Sequence, residues 1–422
     1  MKTKRSSYNV VHDFGDGYLI VVNTVSGACI KIKKETYYDL ENCSDASLHD
    51  TCVKNGFLVE DTLDEEAFVR FVRYANNISN SDTCSFVVLP TTSCNARCFY
   101  CYEEGLKYET MTEKTAIDTA KYILKTAGES NIRLMWFGGE PLMAKRIISI
   151  ISKMIMQGLS IDQKYSSTMI TNASLIDDGV IDSMVNEWNI SRVQITLDGF
   201  EEEYKKRKNY RQSVDFNRII DNINILLSKR IQVAIRLNFD KNNFDEIVQL
   251  ISFLGDKVSN KELASVYAIP LFPPNANCSA ADFFKADELD KQYFVLYEKM
   301  LENGFITSLK YFTIFLKSHF CGAMKSKHAV ICPDGRIYKC QHVNSEGNMP
   351  VGDIYSGIKF CYNNTKWVDP QLSKECDVCV FLPVCQGGCR IGDTEKGVLP
   401  CCLFRYTKDS TLHTIGRLQN RR

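Results

Sequence analysis

The chain has 422 residues, 45% of them hydrophobic, which allows two or three domains with substantial cores and excludes a disordered or fibrous protein. Its 51 basic and 51 acidic residues cancel, so no nucleic-acid partner is expected. The amino terminus holds Lys2, Lys4 and Arg5 but no apolar signal core, and no later run reaches the roughly 18 apolar residues of a membrane span, so a cytoplasmic protein without a membrane partner is expected. In a reducing compartment, 18 cysteines point to metal rather than to disulfides.

From Tyr8 to Leu58 the pattern predicts a β-hairpin, Tyr18 to Asn23 and Ala28 to Lys33 around the turn Thr24-Val25-Ser26-Gly27, followed by short helices. An acidic stretch and a helix from Ala67 to Ile78 then lead to a domain boundary near Asn80. Strands are predicted at Ser85–Pro90, Ile132–Phe137, Lys164–Thr171, Ser191–Leu197, Val233–Phe239 and Leu263–Pro270, each preceding a helical stretch. Such alternation requires crossovers, hence a parallel sheet, and six units suggest a partial barrel with its functional residues at strand carboxyl ends. After about Tyr311 the alternation stops, and ten of the 18 cysteines fall in a stretch short of apolar runs. A segment so poor in core needs staples, which metal clusters supply.

The first strand of the alternating region runs into Cys94-Asn-Ala-Arg-Cys98-Phe-Tyr-Cys101. A four-iron cluster normally takes four thiolates, so three cysteines hold it and leave one iron open. A zinc site is the alternative, but structural zinc usually has four protein ligands. This C-x3-C-x2-C arrangement resembles the signature of the radical S-adenosylmethionine (SAM) superfamily. The resemblance implies a [4Fe-4S] cluster on Cys94, Cys98 and Cys101 whose open iron binds SAM, which is cleaved to methionine and a 5′-deoxyadenosyl radical. It also implies the fold: α/β, a partial (β/α)6 radical SAM barrel.

Further resemblances fall at strand ends. Gly138-Gly139-Glu140-Pro141 looks like the family segment that contacts the methionine amino group: glycines allow close backbone approach and Glu140 supplies an acceptor. Tyr100 matches the aromatic position that packs on adenine. Asn172, Thr196, Asp198, Arg236 and Asn238 resemble ribose, carboxylate or substrate contacts, with Asp198 the candidate catalytic residue. Alternatively, Asp198-Gly199 caps a turn and Arg236 pairs with a surface carboxylate.

Cys321 is followed after thirteen residues by Gly335 and after four more by Cys340, and then comes Cys376-x2-Cys379-x5-Cys385-x3-Cys389, with Cys401 and Cys402 beyond. This spacing resembles the SPASM domain, which binds two auxiliary [4Fe-4S] clusters; zinc knuckles are the structural alternative. By that resemblance Cys321, Cys340 and Cys389 hold the first auxiliary cluster, and Cys376, Cys379, Cys385 and either Cys401 or Cys402 hold the second. A fourth ligand for the first is missing nearby, since the nearest upstream cysteine is Cys278. Cys332 or a substrate thiolate would fill it. Cys29, Cys43, Cys52, Cys84 and Cys361 have no ligand spacing, and His342 reads as structural.

The amino-terminal hairpin and helices resemble the winged-helix-like recognition element of ribosomal peptide (RiPP) maturases, which adds a leader peptide as a strand to a sheet edge. Tyr18–Asn23 or its neighbour is the expected docking edge; a purely structural cap is the alternative. The expected organisation is therefore residues 1–79 for peptide recognition, 80–305 for the radical SAM core and 306–422 for the SPASM domain. The expected activity is modification of a precursor peptide, with a flavodoxin or ferredoxin as reductant. A thioether cross-link is the leading product, formed when a cysteine sulfur couples to the substrate carbon radical and the surplus electron leaves through the first auxiliary cluster. Carbon–carbon or ether cross-links, epimerisation and sulfatase-type oxidation share the opening steps, whereas a non-catalytic metal scaffold would not cleave SAM.

Overall fold

The computed structural model describes residues 2–78, 82–273, 279–317, 321–343, 348–359, 361–368, 372–393 and 399–421. The boundary placed at Ser79 and Asn80, and Cys278, lie outside the described residues.

The chain opens with β1 (Thr3–Arg5), β2 (Asn9–Gly15), β3 (Tyr18–Asn23) and β4 (Cys29–Lys33), then α1 (Lys34–Tyr38), α2 (Ala46–Lys54), β5 (Leu58–Glu60) and α3 (Glu65–Ile78). Strand β3, of sequence Tyr-Leu-Ile-Val-Val-Asn, is central between β2 and β4, so its own edges are already paired. Both of its faces are buried, as alternation dictates. Leu19 and Val21 pack with Ile32, Tyr37, Leu40, Cys52, Phe57 and Leu58. Ile20 and Val22 join the main core of the molecule. Burial on two sides explains why this strand has no polar alternation.

The alternating region forms β6 (Thr83–Thr91), α4 (Glu113–Ala127), β7 (Asn131–Gly138), α5 (Lys145–Gln157), β8 (Tyr165–Thr171), α6 (Asp178–Asn186), β9 (Ile190–Leu197), α7 (Glu201–Lys208), α8 (Phe216–Ser228), β10 (Gln232–Phe239), α9 (Phe244–Lys257), β11 (Ala264–Pro270) and α10 (Leu289–Glu302). Side-chain caps mark the helix starts: Thr112 accepts from the Thr115 N–H, and Asp177 from the Val180 N–H. Strands β6 to β11 are parallel and neighbours in chain order.

The sheet does not end with these six strands. The cysteine-rich region adds β12 (His328–Ile331), β13 (Arg336–Tyr338), β14 (Gly352–Asp353) and β15 (Gly357–Ile358), and then α11 (Tyr362–Val368), α12 (Lys374–Asp377), α13 (Leu382–Cys385), α14 (Leu403–Tyr406) and α15 (Lys408–Asn420). Strand β12 lies parallel to β6, with His328 opposite Ser85, and β13 to β15 continue antiparallel, giving a mixed sheet of ten strands among the described residues. The carboxy-terminal segment is thus hydrogen-bonded directly to the strand that feeds Cys94. Helix α15 returns to pack between α10 and the β2–β3 pair.

Candidate active site

Strand β6 delivers Cys94, Cys98 and Cys101 to one wall of a cavity of about 1720 Å³ at the carboxyl ends of β6 to β11. The loop is held from outside: the Arg97 N–H donates to the Lys208 carbonyl (2.8 Å), and the Arg97 guanidinium donates to the Cys94 carbonyl (2.8 Å). Burial pushes the thiols of Cys94 and Cys101 up to about 12 and about 11, and Cys98 upward too, so they ionise at neutral pH only with a cation to bind. Gly138 and Gly139 press against this loop. A Cβ at Gly138 would stand 2.3 Å from the Thr91 carbonyl oxygen, and one at Gly139 2.3 Å from that of Ser93, so no larger residue fits between β7 and the cysteine loop.

Beside Cys98 sits a buried polar trio. Tyr100 donates its hydroxyl to Asp198 Oδ2 (2.5 Å), Lys208 Nζ donates to the Tyr100 oxygen (2.8 Å), and Lys208 Nζ lies 3.0 Å from Asp198 Oδ2. Burial alone would lower the Lys208 ammonium, but Asp198, Tyr100 and Cys98 hold it well above the ordinary lysine range. Asn243 donates to the Asp198 carbonyl (2.7 Å), while Asp198 Oδ1 is buried and unpartnered, aimed at a donor that the protein does not supply. Lys208 ends α7 in the run Glu-Glu-Glu-Tyr-Lys-Lys-Arg-Lys, which reads as a solvated helix face.

Glu140 does not face the cavity. It is wholly buried and accepts from the Leu142 N–H (3.1 Å), the Thr171 hydroxyl (2.7 Å) and the Asn172 N–H (2.8 Å). Its oxygens tie the end of β7 to the end of β8, so its place is that of a positioning residue rather than an open acceptor for an ammonium; Pro141 starts the short helical turn behind it. Asn172 reaches the cavity and donates to Asn95 Oδ1 (2.8 Å). Thr196, Arg236 and Asn238 line it further along, with Arg236 Nε donating to Asn238 Oδ1 (2.8 Å).

The carboxy-terminal segment also lines the cavity, with Gln341, His342, Cys389, Arg390, Cys401 and Cys402. The thiols fall into two groups. Cys321, Cys340 and Cys389 lie near enough to influence one another's ionisation. The Cys402 N–H donates to Cys385 Sγ (3.3 Å), Arg405 donates to Cys401 Sγ (3.3 Å), and Cys376 and Cys379 pack against Tyr8, Val69 and Leu382. Cys332 belongs to neither group. It is buried with Val87, Leu89, Phe137, Val330 and Tyr338, which removes it as a partner for Cys321. Cys52 and Cys84 are core residues, and Cys29 accepts from Gln419.

Sequence reasoning missed several lining residues. His342 lines the cavity, and its ring stacks on Tyr102 (centroids 3.9 Å, planes 13° apart), and Tyr102 in turn on Phe137. Burial and then Arg236 push His342 down to about 4. Burial pushes the Glu103 carboxyl up to about 8. Arg390 has buried, unpartnered Nε and Nη2 atoms facing Cys321, Cys376 and Cys389. A buried guanidinium without an anion is costly, and thiolates bound to an iron–sulfur cluster would supply the charge. The donor set therefore fits such clusters. Among the described residues no three His, Cys, Asp or Glu side chains converge as around a single metal ion, a convergence that thiols meeting separate corners of a cube do not need.

Residues 88–254 match the family described as the Radical SAM superfamily. A cysteine-type anaerobic sulfatase-maturating enzyme of Clostridium novyi is 24% identical over 340 residues, covering 72% of this chain and 87% of its own. The structure of anSMEcpe with bound AdoMet superposes with a TM-score of 0.63 at 19% identity, over 80% of this chain and 98% of that one. Streptococcus suis SuiB bound to precursor peptide SuiA matches with a TM-score of 0.53 at 14% identity, over 95% and 99%. No helix among the described residues is long and apolar enough to cross a membrane.

Proposed function

We propose that this chain, a radical SAM enzyme by the domain that spans residues 88–254, modifies a precursor peptide and joins a cysteine sulfur of that peptide to one of its carbons as a thioether. The observation that carries the reading is one cavity of about 1720 Å³ lined both by Cys94, Cys98 and Cys101 and by Cys389, Cys401 and Cys402. That volume exceeds what a drug-sized ligand needs, roughly 300–1000 Å³, and leaves room for a peptide segment between the two thiol sets. The similarity to SuiB, solved with a precursor peptide, supports the same reading.

Cys94, Cys98 and Cys101 would hold the [4Fe-4S] cluster, which with SAM bound supplies a 5′-deoxyadenosyl radical. The backbone of Gly138 and Gly139, with Tyr100, Asn172, Thr196 and Asp198, would hold SAM over it, Lys208 orienting Asp198 and Tyr100. Cys321, Cys340 and Cys389 would hold one auxiliary cluster, and Cys376, Cys379, Cys385 and Cys401 or Cys402 the other. In this assignment residues 1–79 recognise the leader, 80–305 form the core and 306–422 form the SPASM domain. Strand β2 or β4, the neighbours of β3, would be the docking edge, because among the described residues each is paired only on its β3 side. A flavodoxin or ferredoxin would deliver electrons.

Sulfatase-type oxidation is the second reading, favoured by the match to the Clostridium novyi enzyme. The test is anaerobic reconstitution with iron and sulfide, then reduction with SAM and a cysteine-bearing precursor peptide, against the C94A/C98A/C101A triple variant. 5′-Deoxyadenosine from the wild type alone, with a peptide that has lost two hydrogens and its alkylatable thiol but kept its sulfur, is expected. Loss of the sulfur and gain of an aldehyde would establish the second reading. No 5′-deoxyadenosine despite full cluster loading would overturn both.

A further inference from the structure

We infer that Arg236 and Tyr102 form a receptor for a carboxylate carried by the substrate; this rests on the peptide reading above. Arg236 sits on β10 between Thr196 of β9 and Tyr267 of β11, inside the row of strands. Two other buried cations, Arg207 and Lys208, are neutralised: Arg207 lies 2.7 Å from Asp240 and Lys208 3.0 Å from Asp198. Arg236 has no such carboxylate among the described residues, and its one bond there is from Nε to the neutral Asn238 (2.8 Å). Its other neighbours, Tyr102, Tyr267 and His342, carry no negative charge. A half-buried guanidinium of this kind calls for an anion from outside the protein.

Tyr102 supplies the second contact. Its hydroxyl is buried and has no hydrogen-bond partner. Its ring is fixed between Phe137 (centroids 6.2 Å, planes 11° apart) and His342 (3.9 Å, 13°), so the orphan O–H has a set direction. The guanidinium fork plus one hydroxyl suits a carboxylate, which accepts two parallel N–H bonds and has lone pairs left for the third donor. Lys208, Asp198 and Tyr100 gather beside Cys98, whereas Arg236 and Tyr102 gather beside His342, so the cavity holds two polar centres. The first lies beside Cys98; the second includes Tyr102, near enough to both Cys101 and Cys340 to feel their charge. The group bound there is an aspartate or glutamate side chain near the attacked residue, or the free carboxyl terminus of the peptide.

The test uses the reconstituted holoprotein with SAM and three labelled cysteine-bearing peptides of otherwise identical sequence: one with an internal Glu and an amidated terminus, one with Gln and an amidated terminus, and one with Gln and a free carboxyl terminus. The wild type is expected to bind one acidic form at least about tenfold more tightly than the uncharged form, and which one distinguishes side chain from terminus. Arg236→Gln should abolish that preference, Arg236→Lys should keep part of it and Tyr102→Phe should narrow it, all with SAM affinity unchanged, which also shows that the variants fold. Equal binding of the three peptides by the wild type would overturn the proposal. So would loss of SAM affinity in Arg236→Gln with the preference intact. Binding of none of the peptides would remove the peptide reading itself, and this receptor with it.

Discussion

Lys208 and Asp198 are both almost wholly buried and bonded to each other and to Tyr100, so neither can lose its partner cheaply. Replacing one strands the other as an uncompensated charge, at a cost of about 3–5 kcal/mol, whereas an apolar pair can be nearly neutral. Lys208→Met and Asp198→Asn should therefore each lower stability by several kcal/mol in urea unfolding, and the double variant should lose markedly less than the sum. Additive losses would show that the pair does not act as a unit. Asp198 was legible because it follows a strand in a turn. Lys208 was not, because nothing in a run of three acids followed by four bases marks the one lysine that folds inward. Glu140 shows the converse: its motif was visible, but only the fold shows that Leu142, Thr171 and Asn172 already occupy its oxygens.

At the scale of elements, the six strands from β6 to β11 were readable because each is an apolar run followed by a periodic helix. Strands β12 to β15 were not, since elements of two to four residues are too short to display a period of two. The central place of β3 was hidden for a related reason: a hairpin is visible in sequence, but β2, which makes β3 central, breaks its pattern with His12 and Asp13. How α15 meets this sheet depends on one glycine. A Cβ at Gly416 would stand 2.5 Å from Phe14 Cε2 and 2.9 Å from Ile20 Cγ1. Glycine to alanine inside a helix ordinarily stabilises by about 1 kcal/mol. Here Gly416→Ala is expected to destabilise by about 1–3 kcal/mol through overpacking, and adding Phe14→Ala should restore part of the stabilising effect. Thermal unfolding of the three variants reads the sign directly; a stabilised single variant would mean that the sheet and helix yield easily.

At the scale of the whole molecule, changes in rhythm and cysteine density lead one to expect three regions, but give no sign of contacts between distant parts of the chain. The amino-terminal residues Tyr8 and Val69 pack on Leu382 beside Cys376 and Cys379, and the Thr24 hydroxyl donates to the Val380 carbonyl (2.7 Å). Contacts across more than 300 residues leave no local trace in sequence. The second junction joins all three regions at His413 of α15, whose ring lies 5.3 Å from Phe14, 5.4 Å from Phe294 and 6.0 Å from His12, with Glu298 and Arg417 nearby and Asp409 bonded to His12. Burial, and then His12, lower His413 from its ordinary 6.5. The folded state thus binds its proton less readily than the unfolded chain. Above pH 6.5 both states are neutral at this position and nothing is lost; as pH falls below 6.5 the unfolded chain takes up the proton first and stability drops. The loss should stay below about 1 kcal/mol because the ring is partly exposed and solvent screens it. Urea midpoints of wild type and His413→Gln between pH 7.5 and about 5 test this. The variant is expected to show the shallower fall, and parallel curves would show that His413 does not set the acid sensitivity.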